Sequence, residues 1–186
     1  MLTTSKTHSP AFERLQKQFS HFSDRHTDVF SDEEKKLIPA VDFFGNEDVI
    51  NTVENLCDSI CSNAKGRVFN LNTNLGDSMI RALSLTAAVL NLPLRMMNCH
   101  RNMEVSEFIG GSAFIGGKIT VNTNTAFIET ISKGGILIID DIQSIENNTE
   151  VLQFIHDFPF ATIVDTNGIE YKVNPNAHIF FVSKKG

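Results

Sequence analysis

Apolar positions along this chain follow two periods. Ile136-Leu137-Ile138-Ile139 run without a polar break and end in two adjacent acids, Asp140 and Asp141. An apolar run of this kind fits a strand buried on both faces, as in a parallel sheet covered by helices. His178-Ile179-Phe180-Phe181-Val182-Ser183 predicts a second such strand. Shorter strands are expected at Arg67–Leu71 and Leu94–Cys99. Between them the spacing turns helical. Phe12, Leu15, Phe19 and Phe22 predict an amphipathic helix over Ala11–Phe22, docked on the core or on a partner. Val49, Ile50, Val53, Leu56, Cys57 and Ile60 form one apolar face behind Asn46, a residue suited to capping. Met79, Ile80, Leu83, Ala87 and Leu90 mark a further helix that must stop before Pro93. Short helices are expected over Ala126–Ser132 and Glu150–His156.

Turn chemistry fills the gaps. Asp165-Thr166-Asn167-Gly168 lies between Ala161–Val164 and Ile169–Val173, and Asn-Gly between β-type runs signals a hairpin. His100–Asn124 is Gly-rich and reads as irregular. Phe114 lies there between Gly110-Gly111 and Gly116-Gly117, giving either a mobile loop with an aromatic tip or a plain flexible loop. The first ten residues are polar and expected to be disordered. Ser23–Pro39 reads as a linker or a short exposed helix. The expected organisation is an N-terminal helix and linker over 1–40, then an α/β core over 41–186. That core has three layers and four parallel strands, with a hairpin inserted before the last.

Composition narrows the function classes. A chain of 186 residues with 41% hydrophobic and 20% charged residues suits a medium-sized globular domain. The net charge of -6 offers no basic footprint, so nucleic acid is not an expected partner. No apolar stretch is long enough to span a bilayer and no signal-type segment opens the sequence, which points to the cytoplasm. The three cysteines, Cys57, Cys61 and Cys99, are no disulfide framework. A zinc site from these thiols and His100 lacks the paired spacing such sites use. Cys99-His100 has no base-and-orienter pattern for a catalytic dyad.

The chemistry concentrates at two places. Asp140-Asp141 closes a buried strand, where open α/β sheets hold their ligands. Asn72-Thr73-Asn74-Leu75-Gly76-Asp77-Ser78 lies between a strand and a helix, the context of a phosphate-binding loop. The plainer alternative for the first is an acidic turn after a buried strand, and for Asp77 a helix cap facing solvent. A metal site without nucleotide is a further alternative, with Asp77, Ser78, Asp140 and Asp141 converging on magnesium or calcium.

In order and spacing these features resemble the front part of an AAA+ ATPase module of the MoxR, midasin and dynein-like branch. Phe44-Gly45-Asn46-Glu47 resembles the box before its first helix, and Leu71 to Ser78 takes the Walker A place. Glu107-Phe108-Ile109-Gly110-Gly111 resembles the element after its second strand. Ile131 to Asp141 resembles its passage into Walker B, and Phe180 to Gly186 stands where the sensor-one strand ends, with Ser183 or Lys184 at the sensor place. The resemblance implies a P-loop NTPase-type sheet, truncated after the sensor-one strand and without the helical lid. It implies Asn74, Leu75, Gly76, Asp77 and Ser78 around phosphates, Asp140 and Ser78 on magnesium, and Asp141 as the catalytic acid. The implied cofactors are ATP or ADP with magnesium, and the implied partners are proteins, including other AAA+ subunits.

The sequence departs from that template. Leu71 replaces the first glycine of G-x-x-x-x-G-K-[ST] and Asp77 replaces the lysine, so only Gly76 and Ser78 match. Asp141 is one methylene shorter than the usual glutamate. Asp77 puts an anion where triphosphate needs a cation, and a carboxylate of the protein can itself satisfy the helix N-terminus. The expectation is a degenerate AAA+-like module without competent hydrolysis, acting as a regulatory or scaffolding interaction domain. The alternative is an ATPase core completed by the rest of a longer chain or by partner subunits.

Overall fold

The computed structural model describes residues 9–25, 29–40, 47–62, 68–73, 77–115, 118–122, 125–157, 162–165 and 168–184. The chain divides into two compact units, residues 1–65 with 75–94, and residues 66–74 with 95–186.

The first unit is helical. Helix α1 (Pro10–Gln18) starts where Ser9 accepts a hydrogen bond from the Phe12 amide and Pro10 presets the first turn. It buries Phe12 and Leu15, while Arg14 and Gln18 reach Glu54 of the fourth helix. The expected helix over 11–22 is broken at Phe19 (φ -102, ψ 12), and a separate turn, α2 (Ser20–Ser23), follows. There the Ser20 hydroxyl donates to the Lys17 carbonyl, the local bond by which serine competes with helix continuation. Of the two readings of 23–39, the short helix is present as α3 (Asp32–Lys35). A Ser31–Glu34 capping box closes it, and Phe30 is buried beside it in sequence.

Helix α4 (Glu47–Ser62) packs on α5 (Asp77–Val89) through Val53, Leu56, Cys57 and Ile60. Beyond α5, Asn91 takes a left-handed conformation (φ 56) and the Leu92 amide reaches back to the Ala87 carbonyl. The helix therefore ends in a Schellman-type cap, just ahead of Pro93.

The second unit holds the sheet. Strands β1 (Val68–Thr73), β2 (Leu94–Asn98), β5 (Gly135–Asp140) and β8 (Ala177–Lys184) lie in the order β1-β8-β5-β2. Strand β8 is parallel to both neighbours, pairing Val68 with Ile179 on one side and Gly135 with Ala177 on the other. This is the parallel α/β sheet of the P-loop NTPase type. Leu137, Ile139, Ile179 and Phe181 face a core completed by Phe108, Phe127, Ile131, Ile145 and Val151. Their alternates Ile136, Ile138, Phe180 and Val182 are equally buried, so both faces of the sheet are shielded from water.

Between β2 and β5 the expected irregular stretch is largely ordered. Helix α6 (Val105–Ile109) is closed by a Glu104–Glu107 capping box and ends at Gly110, where φ is 81. A hairpin follows, β3 (Gly111–Ile115) against β4 (Lys118–Asn122). Phe114 lies within β3 opposite Ile119, not at a loop tip. Glycine density suggested a loop, but Gly110 is a helix terminator and Gly111 the start of a strand.

Helix α7 (Ala126–Lys133) follows, with Thr125 accepting from the Ile128 amide. Gly134 leads into β5 at φ 95, and a Cβ there would lie 3.3 Å from Asn174 Oδ1. Asn174 closes this corner, its amide donating to the Ile131 carbonyl and its side chain to that of Ser132. After a 3-10 turn (Ile142–Ile145) come α8 (Thr149–Asp157) and the expected hairpin, reduced to β6 (Ile163–Val164) and β7 (Glu170–Tyr171). Asp165 secures it by accepting from the Ile169 amide and the Tyr171 hydroxyl, with Gly168 at φ 80.

Candidate functional site at the ends of β2 and β5

Strand β5 carries the acids as the apolar run predicts. Asp140 is its last residue and is 6% exposed, and its carbonyl accepts from the Cys99 amide at 2.9 Å. Asp141 has already left the strand in a left-handed conformation (φ 60, ψ 37). Its carboxylate accepts from the Gln143 side-chain amide and from the Ser144 hydroxyl, and its carbonyl from the Ser144 amide. Neighbouring acids therefore meet different environments, one buried at the strand end and one engaged by its own turn.

Cys99, His100 and Glu107 stand at the same end of the sheet. Burial, then the charges of Asp141, Asp140 and Glu107, push the Cys99 thiol up to about 12. His100 Nε2 meets Glu107 Oε2 at 2.9 Å, while Glu107 Oε1 accepts from the Glu104 amide. Partial burial raises the Glu107 carboxyl, but the bonds from His100 and Glu104 outweigh it and leave the group below its ordinary value. One glutamate thus caps α6 and holds the loop after β2. The sequence marked both residues, within other patterns, without showing that they meet. A polar cavity of about 730 Å³ opens nearby, lined by Arg101 and Asn102 on one side and Gln143, Ser144, Asn147 and Thr149 on the other.

Not every expected site residue can be placed. Asn74, Leu75 and Gly76 lie outside the described residues, as does the side chain of Asp77, the first residue of α5. Ser78 is exposed in the first turn of α5, in the first unit. On β8, Ser183 lies opposite Asn72 and Lys184 opposite Thr73. Among the described residues, no three His, Cys, Asp or Glu side chains form a group suited to a metal ion. The cysteines are free, Cys57 and Cys99 buried and Cys61 exposed.

Residues 78–159, spanning α5, the turn after β5 and α8, match the family model described as the AAA domain of the dynein-related subfamily. Over these residues the chain resembles an AAA domain. Strands β2 and β5 and the acids Asp140 and Asp141 lie within the matched residues, and β1 and β8 lie outside them. A solved protein put forward as an ATPase from Cytophaga hutchinsonii resembles this chain in fold at 13% identity and a TM-score of 0.52, over 95% of this chain and 48% of the other. NtrX from Brucella abortus is similar at 15% identity and a TM-score of 0.47, over 91% of this chain and 35% of its own. The chain thus spans about half or less of each of these proteins. No curated protein matches the sequence. Among the described residues, no helix is long and apolar enough to cross a membrane.

Proposed function

We propose that this AAA+ module lacks competent ATP hydrolysis and acts as a regulatory or scaffolding protein-interaction domain, assembling with other AAA+ subunits. The observation that carries this is the length of β1. Its ladder with β8 continues past Leu71 to the pairs Asn72–Ser183 and Thr73–Lys184. A phosphate loop needs its first template positions free to turn their amides toward phosphate oxygens. Here those positions are strand, and three residues, 74–76, remain before α5 begins. Asp77 then supplies an anion where the template has its only cation.

AAA+ domains ordinarily bind nucleotide with magnesium, which neutralises phosphate charge when bound. By sequence resemblance, Asp140 and Ser78 stand at the template's magnesium positions, Asn74 to Ser78 at its phosphate positions, and Asp141 at the position of its catalytic acid. A loop with a carboxylate in place of the lysine does not fit a triphosphate, since an attraction to phosphate is replaced by a repulsion. Protein partners follow from the assembly habit of AAA+ domains and from the absence of a basic footprint in the sequence.

The test is calorimetric titration of the chain with magnesium-ATP and magnesium-ADP, beside Asp77→Lys. Binding by the lysine variant alone identifies Asp77 as the lock on a disabled loop. Binding by neither agrees with a loop lost over its whole length. Micromolar binding by the wild type overturns the proposal and favours an ATPase core completed by other segments or subunits.

A further inference from the structure

We infer that Asp141 is the closing residue of the β5–α8 connection, a conformational role that stands apart from nucleotide. The left-handed region it occupies is disfavoured for residues with a Cβ, and Asp and Asn tolerate it best because a short polar side chain can bond locally. Three hydrogen bonds converge on it from the turn it precedes. The Gln143 amide and the Ser144 hydroxyl donate to the carboxylate, and the Ser144 N–H donates to the carbonyl at 2.9 Å. An aspartate reaches donors two and three residues onward.

This turn seats Ile145, fully buried, in the core shared by Leu137, Ile139 and Phe181. Asp141 thereby sets the exit direction of β5 and the position of Gln143 and Ser144 on the polar cavity wall. The shortening of the template glutamate to aspartate follows. Glutamate has one methylene too many for these local bonds and no preference for the left-handed backbone.

The test is thermal unfolding without nucleotide of the wild type, Asp141→Asn, Asp141→Ala, Asp141→Glu, and the pair Gln143→Ala/Ser144→Ala in wild-type and Asp141→Ala backgrounds. Asp141→Asn is expected to stay within about 2 °C of the wild-type Tm, while Asp141→Ala and Asp141→Glu lose about 4 °C or more. The alanine pair is expected to lower Tm in the wild type and to add nothing once Asp141 is gone, the non-additivity of residues acting as one unit. Should Asp141→Ala fail to fold, the Asn and Glu variants decide. Equal Tm for wild type and Asp141→Glu, or full additivity of the alanine pair with Asp141→Ala, overturns the assignment. Because no nucleotide is present, its failure is separate from that of the proposed function.

Discussion

Leu71 of β1 lies directly opposite Val182 of β8, inside a parallel ladder that runs on to Thr73. The Walker A template has a glycine at this position, at the start of a turn. Here the position belongs to the sheet, and a half-buried leucine is what a sheet position favours. On the proposed reading the loop is lost by extension of a strand, which is harder to restore than a loop lost by a single charge.

Leu71→Gly therefore acts as a strand mutation. It removes a half-buried side chain and adds backbone freedom, for a loss of about 1–3 kcal/mol in chemical denaturation. No nucleotide affinity is expected to appear with it. Micromolar magnesium-ATP binding by Leu71→Gly alone would contradict the importance given to the β1 ladder.

Arg95 is the buried tie between β2 and α7. Its Nε donates to Glu129 Oε2 at 3.2 Å and its Nη1 to the Gly134 carbonyl at 3.4 Å, with the side chain 6% exposed. Arg95→Met is expected to cost about 2 kcal/mol, since Glu129 keeps Lys133 and part of its exposure to water. Arg95→Lys is expected to recover less than half of that, because one ammonium cannot span both acceptors. Urea denaturation of the two variants measures it, and equal stability of wild type and Arg95→Met would refute the tie.

Glu107 makes the start of α6 acid-sensitive. Its folded-state carboxyl lies below the ordinary value, so it stabilises the fold above the unfolded value and loses this as pH falls through the folded one. The window opens below about pH 4.3. Both Glu107 and His100 are well exposed, so the contribution is small and screened by salt. Glu107→Gln is expected to flatten the acid limb of a Tm–pH profile and to leave the limb above pH 8 unchanged. Superimposable acid limbs would remove the link.

Thiol chemistry should separate the cysteines. Partial burial of its sulfur and the charge of Asp58 push the exposed Cys61 up to about 11. At pH 8 its thiolate is on the order of one part in a thousand, so labelling is slow. Cys57 and Cys99 are buried, with thiols raised further. A disulfide reagent is expected to modify one cysteine in the folded chain, slowly, and all three after unfolding. Rapid native modification of Cys99, read by peptide mapping, would show that the end of β2 is open to solvent.

The sequence by itself determined the α/β class, the strands β1, β2, β5 and β8, the helices α5, α7 and α8 between them, the hairpin before the last strand, and the placing of Asp140-Asp141 at a strand end. These rest on periodicity and turn residues, signals carried within about ten residues of chain. Only the tertiary structure decided that this strand runs past Leu71 through Asn72 and Thr73, because that depends on β8, more than a hundred residues away. It also decided that the Gly-rich stretch after Cys99 holds α6 and a hairpin, where Glu104, Glu107 and Gly110 act as caps. Most of all, it separated the two acids. Asp140 and Asp141 are the same residue type and adjacent in sequence, but a backbone reversal between them buries one and hands the other to Gln143 and Ser144. Composition and spacing cannot encode that difference, because it arises from where the chain must turn to seat Ile145 in the core.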